Sequence, residues 1–201
     1  KYFGYKFLLS DIYKFYRILI INYHLGGLIM NNIRVFISAD LCSETKAKLA
    51  ELQDNFKEQL FDVKWVEKHN FHITLKFIGD ISIETIPSIK DSLNRVHKKI
   101  KPPLKIIINS TGIFPNINNP RVLWVGLKKY DALKYIYDEV EENLYNYRII
   151  EKKTRFSPHI TLGRFRRKPD KDILNKILKD TSDFTIVTEL NSISIMKSEL
   201  K

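Results

Sequence analysis

Cysteine is nearly absent from this chain of 201 residues: Cys42 stands alone. One thiol excludes an internal disulfide and any zinc site built from several cysteines. Long apolar runs are missing too. The apolar stretch within the first 29 residues is interrupted by Lys14, Arg17 and His24, which leaves it too short for a membrane-spanning helix. The same stretch has no small-residue cleavage pattern, so a secretory signal is not expected. Acidic residues are scarce against basic ones, 23 Asp and Glu against 34 Lys and Arg, giving a net charge of +11 and a pI near 9.6. That imbalance favours a polyanionic partner. There is no low-complexity linker, and a hydrophobic content of 44% is ample for a core, so one domain or two small lobes is expected.

What the chain does contain is one tetrapeptide written twice, His72-Ile73-Thr74-Leu75 and His159-Ile160-Thr161-Leu162. Each copy sits in an apolar, β-branched run, and in a strand side chains alternate faces with period two. His72 and Thr74 then share one face, while Phe71, Ile73, Leu75 and Phe77 point the other way into a core. His159 and Thr161 pair in the same manner, opposite Ile160 and Leu162. The copies lie 87 residues apart, and the spacing recurs: Arg34-Val35-Phe36-Ile37 precedes Arg121-Val122-Leu123-Trp124 by the same 87. Each of these strands leads into a helix-like stretch, over residues 43–60 and 130–147, and then to a His-Thr strand. A duplicated unit of this kind predicts two lobes related by a pseudo-twofold, with the two His-Thr pairs facing each other across a groove.

The remaining pattern predicts strands at 33–40, 63–66, 71–78, 104–109, 121–127, 184–190 and 192–196, with the second His-Thr strand ending near Phe165. Helices are expected over 84–99 and 170–178 as well. Ser43 is the expected cap of the first helix, with Cys42 just before it. Gly79-Asp80 should stop the first His-Thr strand, and the Gly-, Pro- and Asn-rich residues 111–120 read as a loop. Residues 1–29 show no clear period, whereas Met30 precedes a clean strand. The simplest reading makes 1–29 an extension outside the domain and places the domain over 30–201.

Histidine is the side chain best able to exchange a proton near neutral pH. One imidazole taking a proton from water while a second protonates a leaving oxygen suits phosphodiester hydrolysis. The two Thr hydroxyls can hold the oxygens on which charge builds. No cluster of Asp, Glu or Cys accompanies either His, so the scheme calls for no metal and no cofactor. Lys76 shares the predicted His72 face and is a candidate phosphate contact, a surface lysine being the other reading. Phe114 and Trp124 are candidates to stack on a base, with core packing the stronger reading for Trp124. Arg155, Arg166, Arg167 and Lys168 either steer RNA or form a solvated basic run. His24, His69 and His97 have no Thr partner and read as incidental.

These residues resemble a known family. His72-Ile73-Thr74-Leu75-Lys76-Phe77-Ile78-Gly79-Asp80 is similar to the first signature of the two-histidine (2H) phosphoesterases, and Ser157-Pro158-His159-Ile160-Thr161-Leu162-Gly163-Arg164 to the second. Within that superfamily the chain is most similar to the RNA 2′,3′-cyclic phosphodiesterases, also called 2′-5′ RNA ligases. Lys64-Trp65-Val66, Gly112-Ile113-Phe114-Pro115 and Pro120-Arg121-Val122-Leu123-Trp124 support the likeness, which runs from about Met30 to the C-terminus. The resemblance implies an α+β fold of two lobes, each an antiparallel sheet with flanking helices, around a central cleft. It implies hydrolysis of RNA 2′,3′-cyclic phosphate ends to 2′-phosphomonoesters, with ligation of 2′-5′ ends as related reverse chemistry. By position His72 would be the proton donor and His159 the proton acceptor, with Thr74, Thr161 and Arg164 binding phosphate. The corresponding expectations are an RNA partner such as tRNA halves, no membrane, a monomer and a cytoplasmic location. The alternatives are a phosphodiesterase for small cyclic nucleotides such as ADP-ribose cyclic phosphate, or an RNA-binding module without turnover.

Two features depart from the family pattern. Arg164 lies five residues after His159, so strand parity puts it on the opposite face. The strand must end or bulge at Gly163, or Arg164 must reach around. Family members also continue beyond the equivalent of Ser198 with another strand, which this chain, ending at Lys201, would lack.

Overall fold

A computed structural model describes residues 4–8, 32–100, 103–151, 155–190 and 192–198. Nine strands and four α-helices follow in the order β1 (Gly4–Leu8), β2 (Asn32–Asp40), α1 (Ser43–Lys57), β3 (Val63–Trp65), β4 (His72–Ser82), α2 (Ile86–Lys99), β5 (Leu104–Asn116), β6 (Asn119–Lys129), α3 (Asp131–Asn146), β7 (His159–Phe165), α4 (Lys171–Asp180), β8 (Thr185–Leu190) and β9 (Ser192–Lys197). The strands form two antiparallel sheets, one ordered β1-β9-β2-β4 and the other β3-β7-β6-β5-β8. The α+β, two-sheet architecture expected from the sequence is therefore present. Each sheet borrows from the other half of the chain: β3 joins the second sheet and β9 the first.

The duplication is visible in the strand pairs that carry the repeated tetrapeptide. β2 pairs β4 with Asp40 opposite His72 and Ser38 opposite Thr74. β6 pairs β7 with Gly126 opposite His159 and Trp124 opposite Thr161. The core-facing partners Ile73, Leu75, Ile160 and Leu162 are almost fully buried and belong to one apolar cluster that also takes in Leu49, Leu93, Ile136 and Leu174 from the four helices. Burying each such side chain contributes about 1.5–3 kcal/mol, which fixes the register of both strands.

Each His-Thr strand has a β-bulge at the same place. The register slips between Ile37 and Ser38, leaving Leu75 without a partner on β2, and between Leu123 and Trp124, leaving Leu162 without one on β6. A bulge reverses the inside–outside alternation beyond it. On β4 this corrects two expectations: Lys76 turns inward and is buried, and Phe77 turns outward and is 50% exposed. On β7 it brings Arg164 out on the face of His159 and Thr161, since Gly163 is buried and Arg164 exposed.

Other boundaries differ from expectation for local reasons. β4 does not stop at Gly79; it runs on to Ser82 because the glycine adopts φ +97° beside a second register slip. Residues 111–120 are not a loop but the closing end of the β5–β6 hairpin. Asn116 Oδ1 accepts from the backbone N–H groups of Asn118 and Asn119, each at 3.0 Å, and so tightens the turn. Cys42, not Ser43, occupies the N-cap of α1, whereas Asp170 caps α4 by accepting from Asp172 N at 2.7 Å and Ile173 N at 3.3 Å. Within 1–29, the backbone of Gly4–Leu8 pairs with β9, so these five residues extend the first sheet and depart from the expected extension outside the domain. The rest of 1–29 lies outside the described residues. Among the described residues no helix is long and apolar enough to cross a membrane.

Candidate active site

β4, at the edge of the first sheet, lies against β7 of the second, which brings the two His-Thr pairs together from different halves of the chain. His72, Thr74, His159 and Thr161 are all half-buried at this junction. The two imidazoles are held alike. His72 Nδ1 lies 2.7 Å from the carbonyl of Asn70, and His159 Nδ1 lies 2.8 Å from that of Ser157. The accepting carbonyl is two residues upstream in each case. A carbonyl only accepts, so Nδ1 carries a proton in both rings, and Nε2 is the ring nitrogen through which a proton would pass to or from a substrate.

Aromatic rings fix the imidazole planes. Phe36 packs against His72 with ring centroids 5.0 Å apart. Phe114 meets His159 edge-on at 4.9 Å and stacks on Trp124 at 4.8 Å. Trp124 in turn lies so close to Gly112 that a Cβ there would sit 2.1 Å from Cζ2 of the indole. Trp124 is thus half-buried and packs in the aromatic group beside His159, outside the main apolar core expected for it, and Phe114 lies between it and the His159 ring.

The surroundings of His72 are charged as well as apolar. Burial pushes its pKa below the usual 6.5, opposed by the Asn70 carbonyl and the negative charge of Asp40, while the positive charges of Lys46 and His159 add to the depression. Lys46, on α1, donates to the carbonyl of His69 at 2.8 Å. Next to it a groove of about 460 Å³ is lined by Leu41, Ser43, Lys46, Lys68 and His69. Lys76, expected on the phosphate face, is instead paired with Glu141 of α3 in the interior. Arg164 reaches the site face through the bulge. Among the described residues no group of three or more His, Cys, Asp and Glu is arranged to hold a metal ion.

Two contributors had no signal in the sequence. Asp40 is a strand-end acid whose partner depends on register. Gln53 of α1 is buried and donates through Nε2 to the carbonyls of Val66 at 2.8 Å and Leu162 at 2.9 Å, so it clasps the β7 bulge.

The family profile for LigT-like phosphoesterases matches residues 40–124. An RNA 2′,3′-cyclic phosphodiesterase of Methanocaldococcus jannaschii is 34% identical over 148 residues, covering 72% of this chain and 80% of that protein. The chain belongs to the LigT-like phosphoesterase family, within the 2H superfamily. An RNA 2′,3′-cyclic phosphodiesterase of Thermotoga maritima is 29% identical over 168 residues, with 84% and 88% of the two chains covered. Among solved structures, a Thermus thermophilus protein superposes with a TM-score of 0.65 at 24% identity, covering 84% of this chain and 90% of that one. E. coli LigT, crystallised with 3′-AMP, gives 0.62 at 18% identity, covering 85% and 90%. These two likenesses concern the fold.

Proposed function

We propose that this LigT-like phosphoesterase hydrolyses RNA 2′,3′-cyclic phosphate ends to 2′-phosphomonoesters by two-histidine acid–base catalysis. The observation that carries the reading is the matched pair of imidazoles. Each is tied through Nδ1 to the carbonyl two residues before it and lies two residues before a Thr, on adjoining strands of two sheets. His159 Nε2 takes a proton from water, whose oxygen forms the new bond to phosphorus. The P–O3′ bond breaks, and His72 Nε2–H protonates the departing 3′ oxygen. Thr74, Thr161 and Arg164 hold the non-bridging oxygens as charge accumulates. No step calls for a metal ion. Phe114, beside His159, is the candidate surface for the terminal base.

An RNA chain suits the site better than a lone small nucleotide. The groove lined by Lys46 and Lys68 is near enough for the Lys46 charge to act on His72, and it offers charge to a phosphodiester beyond the terminal nucleotide. Halves of cleaved tRNA are one source of such ends, and joining of 2′-5′ ends is the related reverse chemistry at the same phosphorus. The protein is read as acting alone, as a cytoplasmic monomer.

The deciding experiment is product analysis. An oligoribonucleotide ending in a 2′,3′-cyclic phosphate is incubated with the protein in EDTA, beside ADP-ribose cyclic phosphate. A 2′-phosphate from the oligonucleotide, formed faster than product from the small substrate, is expected. A 3′-phosphate product, activity abolished by chelation, or preference for the small substrate would refute the reading.

A further inference from the structure

We propose that Asp40 is the positioning residue that makes His72, and not His159, the acid of the pair. The inference rests on the two-histidine reading and deepens it. The fold treats the two imidazoles as equivalents: same tetrapeptide, same bulge, same carbonyl contact two residues upstream. A symmetric pair has no built-in direction, yet hydrolysis needs one protonated and one neutral ring at the start.

The cross-strand neighbour breaks the symmetry. Asp40 stands directly opposite His72 in the β2–β4 register, whereas the residue opposite His159 in the β6–β7 register is Gly126, which has no side chain. Directly opposed side chains in an antiparallel pair lie about 4.5–5.5 Å apart at Cβ, within reach of a strong charge interaction. Asp40 is also anchored from the other side. Its Oδ2 accepts from Ser194 Oγ at 2.7 Å and from Ser192 Oγ at 3.0 Å, both on β9, so β9 holds the carboxylate in place beside His72.

The other charges around His72 work against its protonated form. Lys46 on α1 and His159 on β7 are both cationic or able to become so, and the imidazole is largely desolvated. Lys76 on β4 and Glu141 on α3 face the interior and neutralise each other. Asp40 is the acidic side chain that opposes this bias, and a negative charge beside an imidazolium favours it. Asp40 thereby offsets part of the depression, so His72 holds its proton to a higher pH than it would without the carboxylate.

The test is Asp40→Asn, which removes the charge but keeps an oxygen for the two serines, with Asp40→Ser as a smaller uncharged second variant. Imidazole NMR titration of the intact protein and the pH profile of kcat/KM on a nucleoside 2′,3′-cyclic phosphate are read together. The His72 titration is expected to move to lower pH, and His159 to move less. Because the acid must be protonated, the alkaline limb of kcat/KM should shift to lower pH. The rate at pH 8 should drop on the order of 10-fold, with the deficit shrinking toward acid. An unmoved His72 titration, a larger movement of His159, or a loss equal at every pH overturns the proposal. If wild-type protein does not hydrolyse the cyclic phosphate, the functional reading fails, while the NMR arm still reads the effect of Asp40 on His72.

Discussion

Lys76 and Glu141 form an ion pair inside the protein, with 5% and 2% of their side chains exposed. It joins β4 to α3 immediately behind the His72–Thr74 segment. A buried charge that loses its partner is strongly destabilising, whereas replacing both charges by apolar groups of similar volume is often neutral. Lys76→Met is therefore expected to cost about 3–5 kcal/mol. The double variant with Glu141→Leu should recover most of that loss. Urea unfolding of the three proteins checks this. A single variant as stable as wild type would mean the pair is solvated.

His72→Ala and His159→Ala should each lower kcat on a cyclic-phosphate oligonucleotide by roughly 100-fold or more, with little change in KM. Because the two rings act on one phosphorus, the double variant should be only slightly worse than either single one. Losses that multiply in steady-state kinetics would show two independent roles.

The His-Thr strands and their repetition were readable from sequence because a two-residue period and an 87-residue offset survive without any knowledge of contacts. The two lobes and the helices at α1 and α3 followed from the same repeat, whereas the antiparallel sheets were implied by the family resemblance. The bulges were not readable on β4, since Leu75 and Lys76 preserve a clean alternation on paper. Only pairing with β2 shows that Leu75 has no partner, and that slip sends Lys76 inward and Phe77 outward. On β7 the conflict between Arg164 and strand parity left a strand end, a bulge at Gly163 or a reach-around open, and the β6 register shows a bulge, one residue earlier at Leu162. Asp40 and Gln53 were invisible for a related reason: their partners, His72 and the Leu162 carbonyl, are set by tertiary register. The 111–120 hairpin was hidden by turn residues that proved to close a strand pair.

Arg164 owes its place to the bulge at Leu162 and Gly163. If it binds a phosphate oxygen, Arg164→Ala should reduce kcat/KM by roughly 10- to 100-fold, as expected for a hydrogen bond to a charged group worth about 1.5–3 kcal/mol. Arg164→Lys should restore only part of this, because an ammonium cannot reproduce a two-pronged contact. Kinetics of the two variants on one oligonucleotide suffices, and full activity of the alanine variant would remove Arg164 from the site.

Gly112 is needed for close approach. Any side chain there meets the Trp124 indole, which supports Phe114 and through it the ring of His159. Gly112→Ala should cost about 1–3 kcal/mol as overpacking. It should also change tryptophan emission and lower kcat more than it raises KM. Unchanged fluorescence together with unchanged kcat would show that the aromatic wall does not position His159.

The partial desolvation of His72 also links stability to pH. Burial is the largest influence on it and holds its folded pKa below 6.5, with Asn70 and Asp40 opposing. The unfolded chain then binds a proton that the folded chain resists, so stability rises with pH across this window. Acidification from about pH 6.5 down to the folded value should erode stability, and the loss should level off below it. His72→Gln removes the group and should flatten this part of the curve. Denaturant midpoints of both proteins at pH 7.5 and pH 5 test the sign. Equal losses in the two proteins would show that folding leaves the titration of His72 unchanged, contrary to the burial effect.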